Sequence, residues 1–162
     1  MPKKLSVLAV TLATVALLGA GCSKNLGISS RNNEPMPPAI EVADQSLLDS
    51  NEVVIKQASI DQNGWIVIHA VANGQPSDAI GYTSLAAGKD TKIKVTVDKN
   101  KVTPTLVAML HYDRDPMGTF EFPGTDGPVI KDTQVIMDEF ALTNFDRIIK
   151  DTAATTPASA RK

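Results

Sequence analysis

The chain has 162 residues, a length that suits one domain plus tails. Sixteen Lys and Arg against eighteen Asp and Glu leave a formal charge of −2, which argues against a nucleic-acid binder, since such proteins carry a basic patch or stripe. A single cysteine excludes an internal disulfide framework and cannot build a thiolate zinc site alone.

At the N-terminus, Lys3 and Lys4 precede an apolar run, residues 5–18, broken only by Ser6, Thr11 and Thr14. The run is short for a membrane span and ends on the small residues Gly19, Ala20 and Gly21. Residues 1–21 therefore read as an export signal, with a transmembrane anchor the poorer alternative. Cys22 follows at once, and "LGAGC" resembles the lipobox of bacterial lipoproteins, with Gly19 where that family usually has Leu and Leu18 one step further out. The resemblance implies cleavage before Cys22, diacylation of its thiol and acylation of the new N-terminus. Two or more acyl chains anchor a protein stably where one does not. The alternative is a plain secreted protein with a free thiol. Ser23, where Asp would signal inner-membrane retention, is compatible with the outer membrane.

Residues 22–38, rich in Ser, Asn, Pro and Gly, read as a lipidated, disordered tether. β-Branched runs then follow at 52–60 and 64–72, and the Asn63-Gly64 pair between them predicts a tight hairpin. Residues 90–98 alternate strictly, with Ile93, Val95 and Val97 on one face and Lys92, Lys94 and Thr96 on the other, a half-buried strand. Residues 105–113 are apolar nearly throughout, as in a central strand, and 133–142 close the domain. Short strands are expected at 80–83 and 119–122, and helical turns are allowed at 44–50 and 144–150. Trp65 alternates with Val67 and is expected to be buried. The pattern predicts an all-β protein: a single antiparallel, Ig-like β-sandwich over 39–150, with a small closed barrel as the alternative and a disordered tail over 151–162.

The densest chemistry lies at 108–128. Asp113, Asp115 and Gly118 match the first, third and sixth positions of a calcium loop, and Glu121 supplies a possible further oxygen. Met117 and Gly124 occupy ligand positions without a carboxylate, so an ordinary hairpin with Arg114 as counter-charge competes with the calcium reading. His69 shares a strand face with Trp65 and Val67, and His111 with Met109. If those strands are neighbours, His69, His111 and Met109 converge as copper ligands do; the commoner fate of such histidines is burial with a backbone hydrogen bond. No G-x-S-x-G, phosphate-cradling loop or H-E-x-x-H occurs, and Ser84 with a histidine and an Asp is a triad no spacing favours.

The stretches "GWIVIHA", "AIGYTSLAAG" and "LVAMLHYDRDPMGTFEFPGTDGP" together resemble a family of uncharacterised extracytoplasmic β-domains found in prokaryotic secreted and surface-anchored proteins. The resemblance spans residues 53–142. It departs from the family at Met117, where relatives place Asp or Asn nearer the loop glycine, and by one extra residue between Gly81 and Ser84. It implies a β-domain at an extracytoplasmic surface and no particular activity. The expected function is a membrane-anchored, non-catalytic binding or interaction module. Its partners would be the membrane, through the lipid, and an envelope protein or surface ligand; no nucleic acid is expected. The alternatives are a metal-binding surface protein, calcium ahead of copper, and an enzyme of unknown type.

Overall fold

A computed structural model describes residues 36–47 and 51–155, with side chains as far as residue 152. The stretch expected to be an export signal, Cys22, most of the expected tether, and residues 48–50 and 156–162 lie outside the described residues. The strands are β1 (Ala39–Val42), β2 (Glu52–Ile60), β3 (Gly64–Ala72), β4 (Gln75–Leu85), β5 (Gly88–Thr96), β6 (Thr105–Tyr112), β7 (Ile130–Lys131), β8 (Gln134–Val135) and β9 (Met137–Ala141). A 3-10 turn, Lys99–Lys101, and a helix, α1 (Phe145–Thr155), complete the elements.

Two antiparallel sheets, ordered β1-β2-β5 and β4-β3-β6-β9, pack as a sandwich, and β7-β8 forms a separate small ribbon. With β1, β2, β3, β4, β5, β6 and β9 lettered A, B, C, C′, E, F and G, the layout is A-B-E against C′-C-F-G, so the expected Ig-like sandwich is what forms. Val53, Ile55 and Val95 from one sheet meet Ile66, Ile68, Leu106, Leu110 and Phe140 from the other, all fully or almost fully buried. Each such side chain contributes about 1.5–3 kcal/mol relative to exposure. In β2 the register against β1 shifts between Glu41 and Val42, skipping Lys56. Across that irregularity the inward residues change from Val53 and Ile55 to Ala58 and Ile60, as a bulge requires.

Asn63-Gly64 does not make a hairpin. β2 pairs with β1 and β5, whereas β3 pairs with β4 and β6, so the chain crosses between sheets at this point. Gly64 is needed for another reason: a Cβ there would overlap the backbone carbonyl oxygen of His111. Asn63 braces the crossing, its carbonyl accepting from Asp113 N at 3.1 Å and its Oδ1 from Ala87 N at 3.0 Å. The tight hairpin belongs to the second Asn-Gly pair, Asn73-Gly74, with φ of 53° and 74° between the partners Ala72 and Gln75. Positive φ at both central residues matches the twist of the strands it joins.

The expected short strand at 80–83 lies within the longer β4, and 119–122 is not a strand. Residues 144–150 do begin a helix, but α1 continues to Thr155, past the expected end of order at Lys150. Ile148 on this helix is buried, and Phe145 packs partly into the core, which gives the helix a face to bury.

Candidate functional site

β3 and β6 lie side by side in the centre of the larger sheet, with Trp65 opposite His111, Val67 opposite Met109 and His69 opposite Val107. Their even-numbered residues face the sandwich core. Their odd-numbered residues point to the other face of the sheet, yet Val67, His69, Val107, Met109 and His111 are also buried there. The cover is the loop 113–128. Phe120 packs 5.6 Å from Trp65, and Phe122 lies edge-to-face against both His69 and His111, at 5.3 and 5.0 Å between ring centroids. Phe120 also leans on Tyr82 at 4.3 Å. This loop is a lid over a second, smaller core. Trp65 is 7% exposed, in line with expectation.

The lid is wound around two carboxylates. Asp126 is completely buried; its Oδ1 accepts from Arg114 N at 2.8 Å and its Oδ2 from Glu121 N at 2.9 Å. Asp113 accepts from Gly118 N at 2.9 Å through both oxygens. Backbone donors that water would otherwise have to satisfy are thereby tied off inside the loop. Of the two readings weighed for this loop, calcium ligand set and ordinary hairpin, these bonds are the kind a turn makes. Asp113 closes a turn, Asp115 is exposed, and Glu121 accepts from Thr125 Oγ1 at 3.3 Å. Among the described residues, no group of three or more His, Cys, Asp or Glu side chains is arranged to hold a metal. Arg114, expected as a counter-charge, lies with its guanidinium 5.5 Å from the Tyr112 ring centroid, a cation–π arrangement.

The histidines do converge. β3 and β6 are neighbours, and His69 Nε2 lies 3.4 Å from His111 Nε2 with the rings nearly parallel. Each ring is anchored by its other nitrogen: His69 Nδ1 to the Ser77 carbonyl and His111 Nδ1 to the Asp126 carbonyl, both at 2.8 Å. A carbonyl oxygen only accepts, so each Nδ1 carries the proton. In the neutral pair both Nε2 atoms are then bare acceptors aimed at each other. Burial pushes the pKa of both histidines below the ordinary 6.5, and for His111 a charge on His69 lowers it further. Neither Nδ1 is held by a carboxylate, the orienting contact of a Ser-His-Asp relay, and Ser84 is exposed while the histidines are not.

Asp126, Phe120 and Phe122 were not singled out by sequence reasoning. The signal was present: two phenylalanines inside a Gly- and Pro-rich loop are costly to leave in water, and so mark a loop that covers something. Asp126 before Gly127 is the kind of short acid that binds its own loop's backbone.

Residues 38–143 match the family described as "Domain of unknown function (DUF7282)". The chain belongs to this family. It is 33% identical over 97 residues to "Cell surface glycoprotein 1" of Haloarcula hispanica, a match covering 59% of this chain and 10% of that protein. To "Cell surface glycoprotein 2" of the same organism it is 31% identical over 106 residues, covering 64% of this chain and 11% of that protein. The matched stretch thus spans about a tenth of the length of these curated relatives. No solved structure matches the chain. The DUF7282 match takes in the lid and both histidines along with the sandwich.

Proposed function

We propose that this DUF7282 protein is a membrane-tethered module of an extracytoplasmic surface that works by contact and not by catalysis. The observation that carries the reading is the similarity to two cell surface glycoproteins, in each of which the matched stretch is a small part of a much longer chain. The tether rests on the N-terminal sequence: a positively charged start, a short apolar run, small residues and Cys22. Acylation of Cys22 would hold the sandwich at the membrane on the spacer 23–38. The contact role draws support from the lid, which is tied from within by Asp113 and Asp126. Met117 within the lid and Tyr82 beside it, 62% and 53% exposed, turn apolar surface outward.

Labelled palmitate is expected to enter the wild-type protein and not Cys22→Ala, and the variant is expected to leave the membrane fraction. Protease added to intact cells is expected to remove the wild-type domain. Label that persists without Cys22 contradicts the tether. A domain digested only after lysis contradicts surface display.

A further inference from the structure

We propose that His69 and His111 together bind one copper(I) ion through their Nε2 atoms, beneath the Phe120–Phe122 lid. The argument begins with the hydrogen bonds. Backbone carbonyls of Ser77 and Asp126 take the Nδ1 protons, which leaves two Nε2 lone pairs facing each other at 3.4 Å. Two acceptors in that position repel unless a cation stands between them. The same carbonyls also aim the rings and raise their basicity, the outer-shell arrangement found behind metal-bound histidines.

The spacing selects the coordination. With metal–nitrogen bonds of about 2.0–2.1 Å, nitrogens 3.4 Å apart subtend an angle of about 110° at the metal. That is the angle of a three- or four-coordinate ion. A linear two-coordinate ion would hold the nitrogens about 4 Å apart. A further donor is therefore required, and the proposal assigns it to Met109, a buried thioether two residues before His111 on the same face of β6.

The donor set selects the ion. Calcium takes shells of oxygen ligands. Zinc sites draw three or four ligands from Cys, His, Asp and Glu, and among the described residues no such group of three is found. Two imidazoles and a thioether suit a soft ion. The surroundings agree, since both histidines are at most 2% exposed and Phe122 packs edge-to-face against both rings. Buried, aromatic surroundings favour the singly charged ion over copper(II), which carries a larger charge and a preference for tetragonal nitrogen and oxygen shells.

The test uses the full chain with Cys22→Ser, so that no thiol competes. Copper(I) is titrated anaerobically against a chromophoric chelator, and X-ray absorption is recorded on the loaded protein. One equivalent is expected to bind, with two imidazole nitrogens and one sulfur around the metal. His69→Gln and His111→Gln are each expected to weaken binding by more than about 100-fold, beyond the loss typical of an outer-shell change. Met109→Leu is expected to remove the sulfur signal. Circular dichroism and Trp65 emission check that each variant folds. Where a histidine variant does not fold, the absorption spectrum of the parent decides. Binding that survives both histidine variants, a loaded site lacking two imidazoles, or a site that takes only a shared proton and no copper overturns the proposal.

Discussion

A Cβ on Gly64 would overlap the backbone carbonyl oxygen of His111 and also press on the Ile60 side chain at 2.7 Å. The start of β3 therefore lies against the end of β6 as closely as a glycine allows, and this approach sets the strand carrying His69 beside the strand carrying His111. Gly64→Ala must push the two strands apart. A loss of roughly 1–3 kcal/mol is expected, the range for overpacking a filled site, measured by urea denaturation. Gly74→Ala serves as the comparison, because nothing lies within 4 Å of its Cβ and only its φ of +74° opposes the change. That variant should lose about 1–2 kcal/mol, with the spectroscopic properties of the histidine pair unchanged.

Asp126 is the internal tie of the lid. Asp126→Ala leaves Arg114 N and Glu121 N, both in part-buried bonds, without their acceptor. A loss on the order of 3 kcal/mol is expected, since bonds to a charged acceptor are the stronger kind and orphaned donors add their own penalty. Asp126→Asn keeps one oxygen and should lose less. Limited proteolysis, read by mass spectrometry, should cut within 113–128 first in the alanine variant.

Phe120 is the lid's contact with Trp65, at 5.6 Å between centroids. Wild-type Trp65 emission should be blue-shifted and move red on unfolding. Phe120→Ala should shift the native emission toward red and lower stability by about 3 kcal/mol, the low end for truncating a buried aromatic ring, because Phe120 is only half-buried.

In the metal-free protein, both histidines have a lower proton affinity folded than unfolded, because burial opposes the charged form. Below the unfolded value of 6.5 the unfolded chain therefore binds more protons than the folded one, and stability must fall as the solution becomes more acidic. Above that value the histidines contribute no pH dependence. Denaturation midpoints between pH 8 and pH 5 should be flat at first and then decline below about 6.5. His69→Gln should flatten the decline. An unchanged midpoint down to pH 5 contradicts the neutral, buried pair.

Much of the sandwich was legible because its strands obey a period of two or fill a central position. Ile93 and Val95 announced β5, which ends one residue before Val97, and the unbroken run from Leu106 to Leu110 announced a strand buried on both faces. What buries the second face was legible only as two phenylalanines in a Gly- and Pro-rich loop, without the surface they cover. Phe120 and Phe122 alternate as strand residues do, and only the fold shows that they close a lid over β3 and β6. The two Asn-Gly pairs look alike as dipeptides; Asn73-Gly74 turns a hairpin, while Gly64 answers to the His111 carbonyl, a contact 47 residues away in the chain. The meeting of His69 and His111, on a face they share with Met109, could be anticipated on condition that their strands pair, and they do. The role of Asp113 could not, because a carboxylate that binds a cation and one that binds its own loop share one composition; for Asp126 the only hint was the glycine after it.

The tautomers of His69 and His111 decide whether two lone pairs face each other beneath the lid. Long-range proton–nitrogen correlation spectra of the labelled, metal-free protein at pH 7.5 read them directly. The hydrogen bonds from Nδ1 to Ser77 O and Asp126 O predict that both rings carry their proton on Nδ1, with both Nε2 atoms unprotonated. A proton on Nε2 of either ring contradicts the facing lone pairs, and with them the case for a cation between the histidines.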